Sequence, residues 1–314
     1  MKISSKVILP LLAVPVAILS FYAFRSTDVE DGLVAAEATP FVPAENFNDY
    51  WYEGKGELNG YTLEQGRYGE MHKGEAVLVY VAEDFSTKDL TKASGAGVPV
   101  LKVNFDKKFI TGIYPYSMVM TVASPIDINR YPHPLTVATS SQEWCGHTFT
   151  RFNMRGKSYE FLEHSYFPGE GDQERTIPMT MLEDEVWTRL RIAPDKMPIG
   201  KVEMVPGTFY LRFRHLPAKP FAATTKMVDG EKGERIYQIA YDDGSRDLNI
   251  RFEKAFPHRI LGWDETYQSG YGRSNKRLTT KATLNNTIKL DYWNKNQNTD
   301  RVYRQRLGLE EDCL

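Results

Sequence analysis

Short runs in which apolar and polar residues alternate dominate the chain from about residue 50 onward, the period of half-buried strands. The pattern predicts strands over Tyr50 to Leu58 and Tyr61 to Glu70, separated by an Asn59-Gly60 hairpin turn. A turn at His72-Lys73-Gly74 then leads into the apolar run Ala76 to Ala82. A polar loop over 86–98 precedes a strand from Val98 to Phe105, closed by Asp106-Lys107-Lys108. Ile113 to Val122 follows, then a loop carrying Pro125, Pro132 and Pro134. The clearest hairpin spans Ser140 to Phe167, turning at Arg155-Gly156-Lys157, with a loop at 168–173 beyond it.

The period changes once. Thr180-Met181-Leu182-Glu183 has the form of a capping box. Leu182, Val186 and Leu190 recur every four residues, with Trp187 beside them as a core anchor. This predicts an amphipathic helix from Met181 to about Arg191, ending before Pro194. Strands resume at Lys201 to Met204, Thr208 to His215, IYQIAY, LNIRFE, His258 to Tyr267 and Leu278 to Leu284, with turns at Asp229-Gly230 and Asp242-Asp243-Gly244. Ile288 to Asn294 and Asp300 to Leu307 read as helical, the latter with Thr299 as N-cap and Gly308 as stop. About a dozen strands and few crossover helices predict a mainly β fold: a large curved antiparallel sheet or β-sandwich with two or three short helices packed at one end.

The N-terminus breaks this pattern. Lys2 and Lys6 precede an apolar run from Val7 to Phe24, which predicts a signal peptide or N-terminal anchor over 1–24. Residues 25–46 are acidic, alanine-rich and carry Pro40 and Pro43, as a linker does; a single β-rich domain is expected over 47–314. The charge asymmetry across the run places the body in the periplasm or cell envelope, with membrane contact through the N-terminal segment alone.

Composition adds limits. Of 314 residues 41% are hydrophobic and 25% charged, an ordinary balance for a packed core. A net charge of −2 gives no field to recruit nucleic acid. The two cysteines build no disulfide framework; a Cys145–Cys313 bridge requires the tail to dock beside the central hairpin.

Candidate chemistry is sparse. Phosphate-loop, dinucleotide, zinc-helix and nucleophile-elbow motifs are missing, and the histidines show no metal-ligand spacing, so no cofactor or metal is expected. Trp144-Cys145-Gly146-His147 is the one dense cluster. A two-residue turn at Arg155-Gly156 sets His147 opposite His164; one at Gly156-Lys157 sets His147 opposite Tyr166 and Phe149 opposite His164. Either register leaves Cys145, His147 and His164 on one face. Trp144, Cys145, His147, His164 and Tyr166 are therefore the candidate binding residues. Cys145 with His147 or His164 is the candidate catalytic pair, set against a buried thiol and a hydrogen-bonded imidazole.

The segments QGRYGEMHKGEAVLVYV, KKFITGIYPYSM, SSQEWCGHTF, LEDEVWTRLR, AFPHRILGWDETY and TIKLDYWNKN resemble an uncharacterised family of exported bacterial envelope proteins, often labelled septum formation inhibitor Maf. The resemblance implies an envelope location and supplies no catalytic residue. Maf pyrophosphatases are cytoplasmic and carry an early Ser-x-Ser-Pro-Arg-Arg motif; the nearest echo here, Ala123-Ser124-Pro125, lacks the arginines. The leading expectation is a non-catalytic exported protein that binds a lipid, a glycan or an envelope protein partner. An exported hydrolase using Cys145, and the nucleotide pyrophosphatase implied by the label, are the alternatives.

Overall fold

A computed structural model describes residues 40–310; the apolar run at 7–24, most of the 25–46 linker and Cys313 lie outside the described residues. In chain order the elements are α1 (Phe47–Trp51), β1 (Gly56–Arg67), β2 (Glu70–Ser86), β3 (Thr91–Lys92), β4 (Val98–Thr111), β5 (Tyr114–Pro125), β6 (Thr136–Glu143), β7 (Gly146–Arg155), β8 (Ser158–Ser165), β9 (Gln173–Pro178) and β10 (Met181–Leu182). There follow α2 (Val186–Ile192), β11 (Gly200–Val205), α3 (Thr208–Arg214), β12 (Phe221–Asp229), β13 (Glu234–Tyr241), β14 (Arg246–Glu253), β15 (Ile260–Ser269), β16 (Lys276–Leu290) and α4 (Val302–Arg306).

All sixteen strands belong to one sheet, antiparallel throughout except where β10 runs parallel to β11. The order starts at β10, runs through β11 to β16, passes to β1 and β2, and continues from β4 to β9, with β3 paired to β2. The mainly β fold with one large antiparallel sheet is thus what the alternation predicts. The sheet's two edges, β9 and β10, are joined by Met179 and Thr180 alone. Its two halves meet where β1 pairs β16, with Glu57 opposite Lys289.

The sheet curls around α2 and α3. Trp187 on α2 meets Phe105 of β4 and Trp263 of β15 edge-on, at ring separations of 5.1 and 5.2 Å. The Tyr80 hydroxyl on β2 donates to the Trp187 carbonyl at 3.0 Å. On α3, Thr208 shares a 2.6 Å hydroxyl bond with Thr139 of β6, and Tyr210 meets Tyr267 of β15 edge-on. Leu182, Val186 and Leu190 are buried as their spacing predicts. The helix begins later than expected: β10 comes first, then a 3-10 turn over Glu183–Glu185. The capping box does not form. Thr180 Oγ1 donates to the Glu203 carbonyl, and the Glu183 carboxylate instead accepts from Tyr241 and Arg246.

Six further expectations are corrected, several because tertiary contact overrides a local signal. Asn59-Gly60 lies inside β1, at a bulge. The Asn59 amide is buried, donating to Glu57 Oε1 at 2.7 Å and accepting from Thr287 at 2.6 Å, and a Cβ on Gly60 would sit 2.3 Å from the Leu307 carbonyl oxygen. Here glycine serves close backbone approach, not a turn. The true turn is Tyr68-Gly69, both at positive φ, so His72-Lys73-Gly74 runs on inside β2. Lys107 does not close a strand; it is buried in β4, its ammonium 5.1 Å from the Phe209 ring, and burial pushes its pKa down to about 8. Thr208 to Arg214 is α3 rather than a strand, its first amide held by both Asp184 oxygens at 3.1 Å. Ile288 to Leu290 finishes β16, and only Tyr292–Asn294 coils, as a 3-10 turn; at the C-terminus Gln297, not Thr299, caps the coil that leads into α4, and Gly308 takes the positive φ of a helix stop.

Candidate functional site

The central hairpin closes on Gly156-Lys157, with Arg155 opposite Ser158 and Phe149 opposite His164. His147 therefore lies beside Tyr166, whose amide donates to the His147 carbonyl. His147 and His164 share a face, and that face is exposed. His164 Nδ1 pairs with Asp172 at 3.0 Å. Trp144 is 68% exposed and stacks on Tyr114 at 6.3 Å. Cys145 lies in the turn before β7, where strand alternation does not apply. It is exposed, its amide donating to Glu143 Oε2 at 2.6 Å. Hydrogen bonding and charge from Glu143 push the thiol pKa up, which favours the protonated, unreactive form. The hairpin unites Trp144, Cys145, His147, His164 and Tyr166 along one end of the sheet, but no hydrogen bond joins the thiol to either imidazole among the described residues.

Trp144 and Tyr166 belong to a larger row. Successive hairpin tips at this end present Ile113 (81% exposed), Trp144 and Tyr166 (73% exposed) to solvent. Behind them Arg67 donates to the Tyr116 hydroxyl, which shares a 2.7 Å bond with Tyr68. Below the row, a narrow crevice of about 20 Å³ opens between α3 and β7–β8. There Glu170 Oε2 accepts from Ser165, and Oε1 meets His215 Nδ1 at 2.5 Å. The order is hydroxyl, carboxylate, imidazole. A nucleophilic triad needs the imidazole between the other two, so this chain of bonds cannot activate Ser165.

A larger cavity lies at the opposite end of the strands. It measures about 840 Å³, within the range of roughly 300–1,000 Å³ typical of small-ligand pockets. Its apolar wall comes from Leu90, Tyr131, Leu135, Met154 and Met179. Leu90 and Leu135 belong to a satellite core with Phe85, Val100 and Ala123, formed where the 87–97 loop folds over the sheet. The loop is tied down by Arg151, whose guanidinium donates to the Leu90 carbonyl at 2.8 Å. Arg130, His133, Arg155 and Lys157 supply the polar lining, and no aspartate or glutamate lines the cavity. Sequence reading missed this site because its walls come from four separate segments of the chain. Pro132, Pro134 and the Arg155-Gly156-Lys157 turn marked the backbone but gave no sign that the segments converge.

Deep in the core, Arg246 is clamped by Glu183 and Glu265, and the neighbouring Asp184 is fully enclosed. Burial, then repulsion from Glu183, pushes the Asp184 pKa up to about 7. Among the described residues no group of three His, Cys, Asp or Glu could hold a metal ion, and no helix is long and apolar enough to cross a membrane.

The class defined by fold and site is therefore a single curled antiparallel sheet around two short helices, with an apolar cavity at one end. Compared with known proteins, the chain matches no family model, no curated protein and no solved structure.

Proposed function

We propose that this is an exported envelope protein that binds a hydrophobic ligand and carries out no chemistry on it. The single observation behind this reading is the cavity of about 840 Å³ walled by Leu90, Tyr131, Leu135, Met154 and Met179. Apolar area removed from water is the main driving force for such binding, at about 25 cal/mol per Å². A glycan would need a ladder of hydrogen-bonding side chains, and this wall offers few. The raised thiol pKa of Cys145 weighs against the hydrolase alternative.

The test is saturable binding of a neutral fluorescent hydrophobe, N-phenyl-1-naphthylamine, to the purified full chain. Met179 is half-buried in the wall, so Met179→Trp fills the cavity without entering the deep core. One-to-one binding that weakens at least tenfold in the variant is the expected result. No saturable binding, or equal binding by a folded variant, overturns the reading.

A further inference from the structure

We infer that the cavity selects an acyl chain ending in one anionic headgroup, held at the mouth by Arg130 and Lys157; this rests on the hydrophobic-ligand reading above. Four basic or imidazole side chains line the cavity, and their partners separate them into two kinds. Arg155 is neutralised by Glu160 at 3.0 Å and also donates to the carbonyls of Thr87 and Lys88. His133 Nδ1 faces the buried Glu185 at 3.1 Å. These two hold the walls together. Arg130 and Lys157 differ: among the described residues neither side chain meets a carboxylate. The Arg130 guanidinium lies 5.2 Å from the centre of the Tyr131 ring, and Asp127 beside it turns its carboxylate to the backbone amides of Asn129 and Arg130. Lys157 stands at the tip of the β7–β8 turn, and its carbonyl accepts the Met179 amide at 3.0 Å, which fixes that tip against the cavity wall.

An apolar wall with two unmatched cations at its rim is complementary to an amphiphile of one negative charge. The chain lies against Tyr131, Met154 and Met179, the apolar wall residues that keep accessible surface, while the headgroup stays at the wet mouth, where neither cation need be desolvated. Charge-assisted hydrogen bonds to a carboxylate are about twice as strong as neutral ones, and the exposed setting makes them sensitive to salt. A neutral alcohol of the same length has the same chain and loses that term. A short anion keeps the charge and loses the apolar contact.

The experiment uses the full chain and displacement of N-phenyl-1-naphthylamine by three probes: dodecanoate, dodecan-1-ol and butanoate. Dodecanoate is expected to displace at a concentration at least fivefold below that of dodecan-1-ol. In 0.5 M sodium chloride, and in the Arg130→Gln/Lys157→Gln variant, the ratio of the two within one sample falls below twofold. Butanoate displaces nothing at the same concentrations. Equal displacement by dodecanoate and dodecan-1-ol overturns headgroup selection while the hydrophobic-ligand reading stands. A preference that persists in the double variant places the headgroup elsewhere and overturns the assignment of Arg130 and Lys157. Displacement by butanoate shows an anion site that does not need the chain and overturns it as well. If the neutral hydrophobe itself does not bind, the function proposed above fails first, and this inference fails with it.

Discussion

Arg191 on α2 and Glu57 on β1 form a fully buried bidentate pair, with Nη1–Oε1 at 2.8 Å and Nη2–Oε2 at 2.7 Å. The guanidinium also donates to the Pro257 carbonyl and lies over Tyr80, 4.4 Å from the ring centre. Replacing Arg191 with Met keeps most of the stem volume and removes the charge. Two charge-assisted hydrogen bonds at about 1.5–3 kcal/mol each set the gross loss. Part of it is recovered as Glu57 takes up a proton, so the net cost at pH 8 is about 3–5 kcal/mol, the range for breaking a buried pair by removing one partner. The pH dependence carries the diagnosis. Burial pushes the Glu57 pKa up, but the charge and hydrogen bonds of Arg191, helped by hydrogen bonds from Tyr50 and Asn59, override it and hold the carboxyl below its ordinary value. In the wild-type protein this contribution is present above the unfolded pKa of Glu57 and is lost only as pH falls through the lower folded value. Without Arg191, burial is opposed only by the hydrogen bonds from Tyr50 and Asn59, and the folded pKa is expected to rise above the unfolded one. The variant's penalty then grows as pH rises through that window and is relieved as pH falls. Urea unfolding of both proteins at pH 8, 6.5 and 5 should show the gap narrowing with acidity. A cost below about 1 kcal/mol at pH 8, or a gap that does not change with pH, would refute the argument.

Leu190→Ala should lower unfolding free energy by about 2–5 kcal/mol, since Leu190 is fully enclosed between α2 and the sheet; a loss under about 0.5 kcal/mol would mean the side chain is not packed there. In a Cys313→Ser background, Cys145 should react with a disulfide reagent to full stoichiometry, because it is exposed. Its rate should still be climbing at pH 9, and Glu143→Gln should raise the rate at pH 7.5 severalfold. A rate plateau below pH 7 would show an activated thiol and revive the hydrolase.

Where a sequence signal and a contact agree, the fold is legible. The fourfold spacing of Leu182, Val186 and Leu190 marks a stretch whose buried positions hold even though its first residues pair as β10. Gly230, Asp242-Asp243-Gly244 and the Gly156-Lys157 turn all fall between strands. Legibility fails where a polar residue is polar toward the interior. Asn59 has turn chemistry by type, but its amide is spent on Glu57 and Thr287. Lys107 looks like surface until three aromatic rings surround its ammonium. The aromatic-rich Thr208 to Arg214 reads as a strand, and its helical form depends on Asp184, distant in sequence, accepting its first amide. Among the candidate residues, the shared face of His147 and His164 followed from turn parity. The exposure of that face did not, because alternation assigns sides without saying which one the helices will cover.

The seam between β1 and β16 fixes an order of assembly. Asn59 and Thr287 meet across a sequence separation of 228, whereas most other neighbours in the sheet are joined by hairpins. A chain emerging from the ribosome can zip β1 to β9 while β1 keeps one open flank, and it cannot seal that flank until the last strand arrives. Long-range closures of this kind are slow. Until then the open flank of β1 is a template for a second copy of the chain. Truncation before Lys276 would make that transient state permanent, exposing β1 and β15 together, and would be expected to yield aggregates rather than a smaller soluble domain.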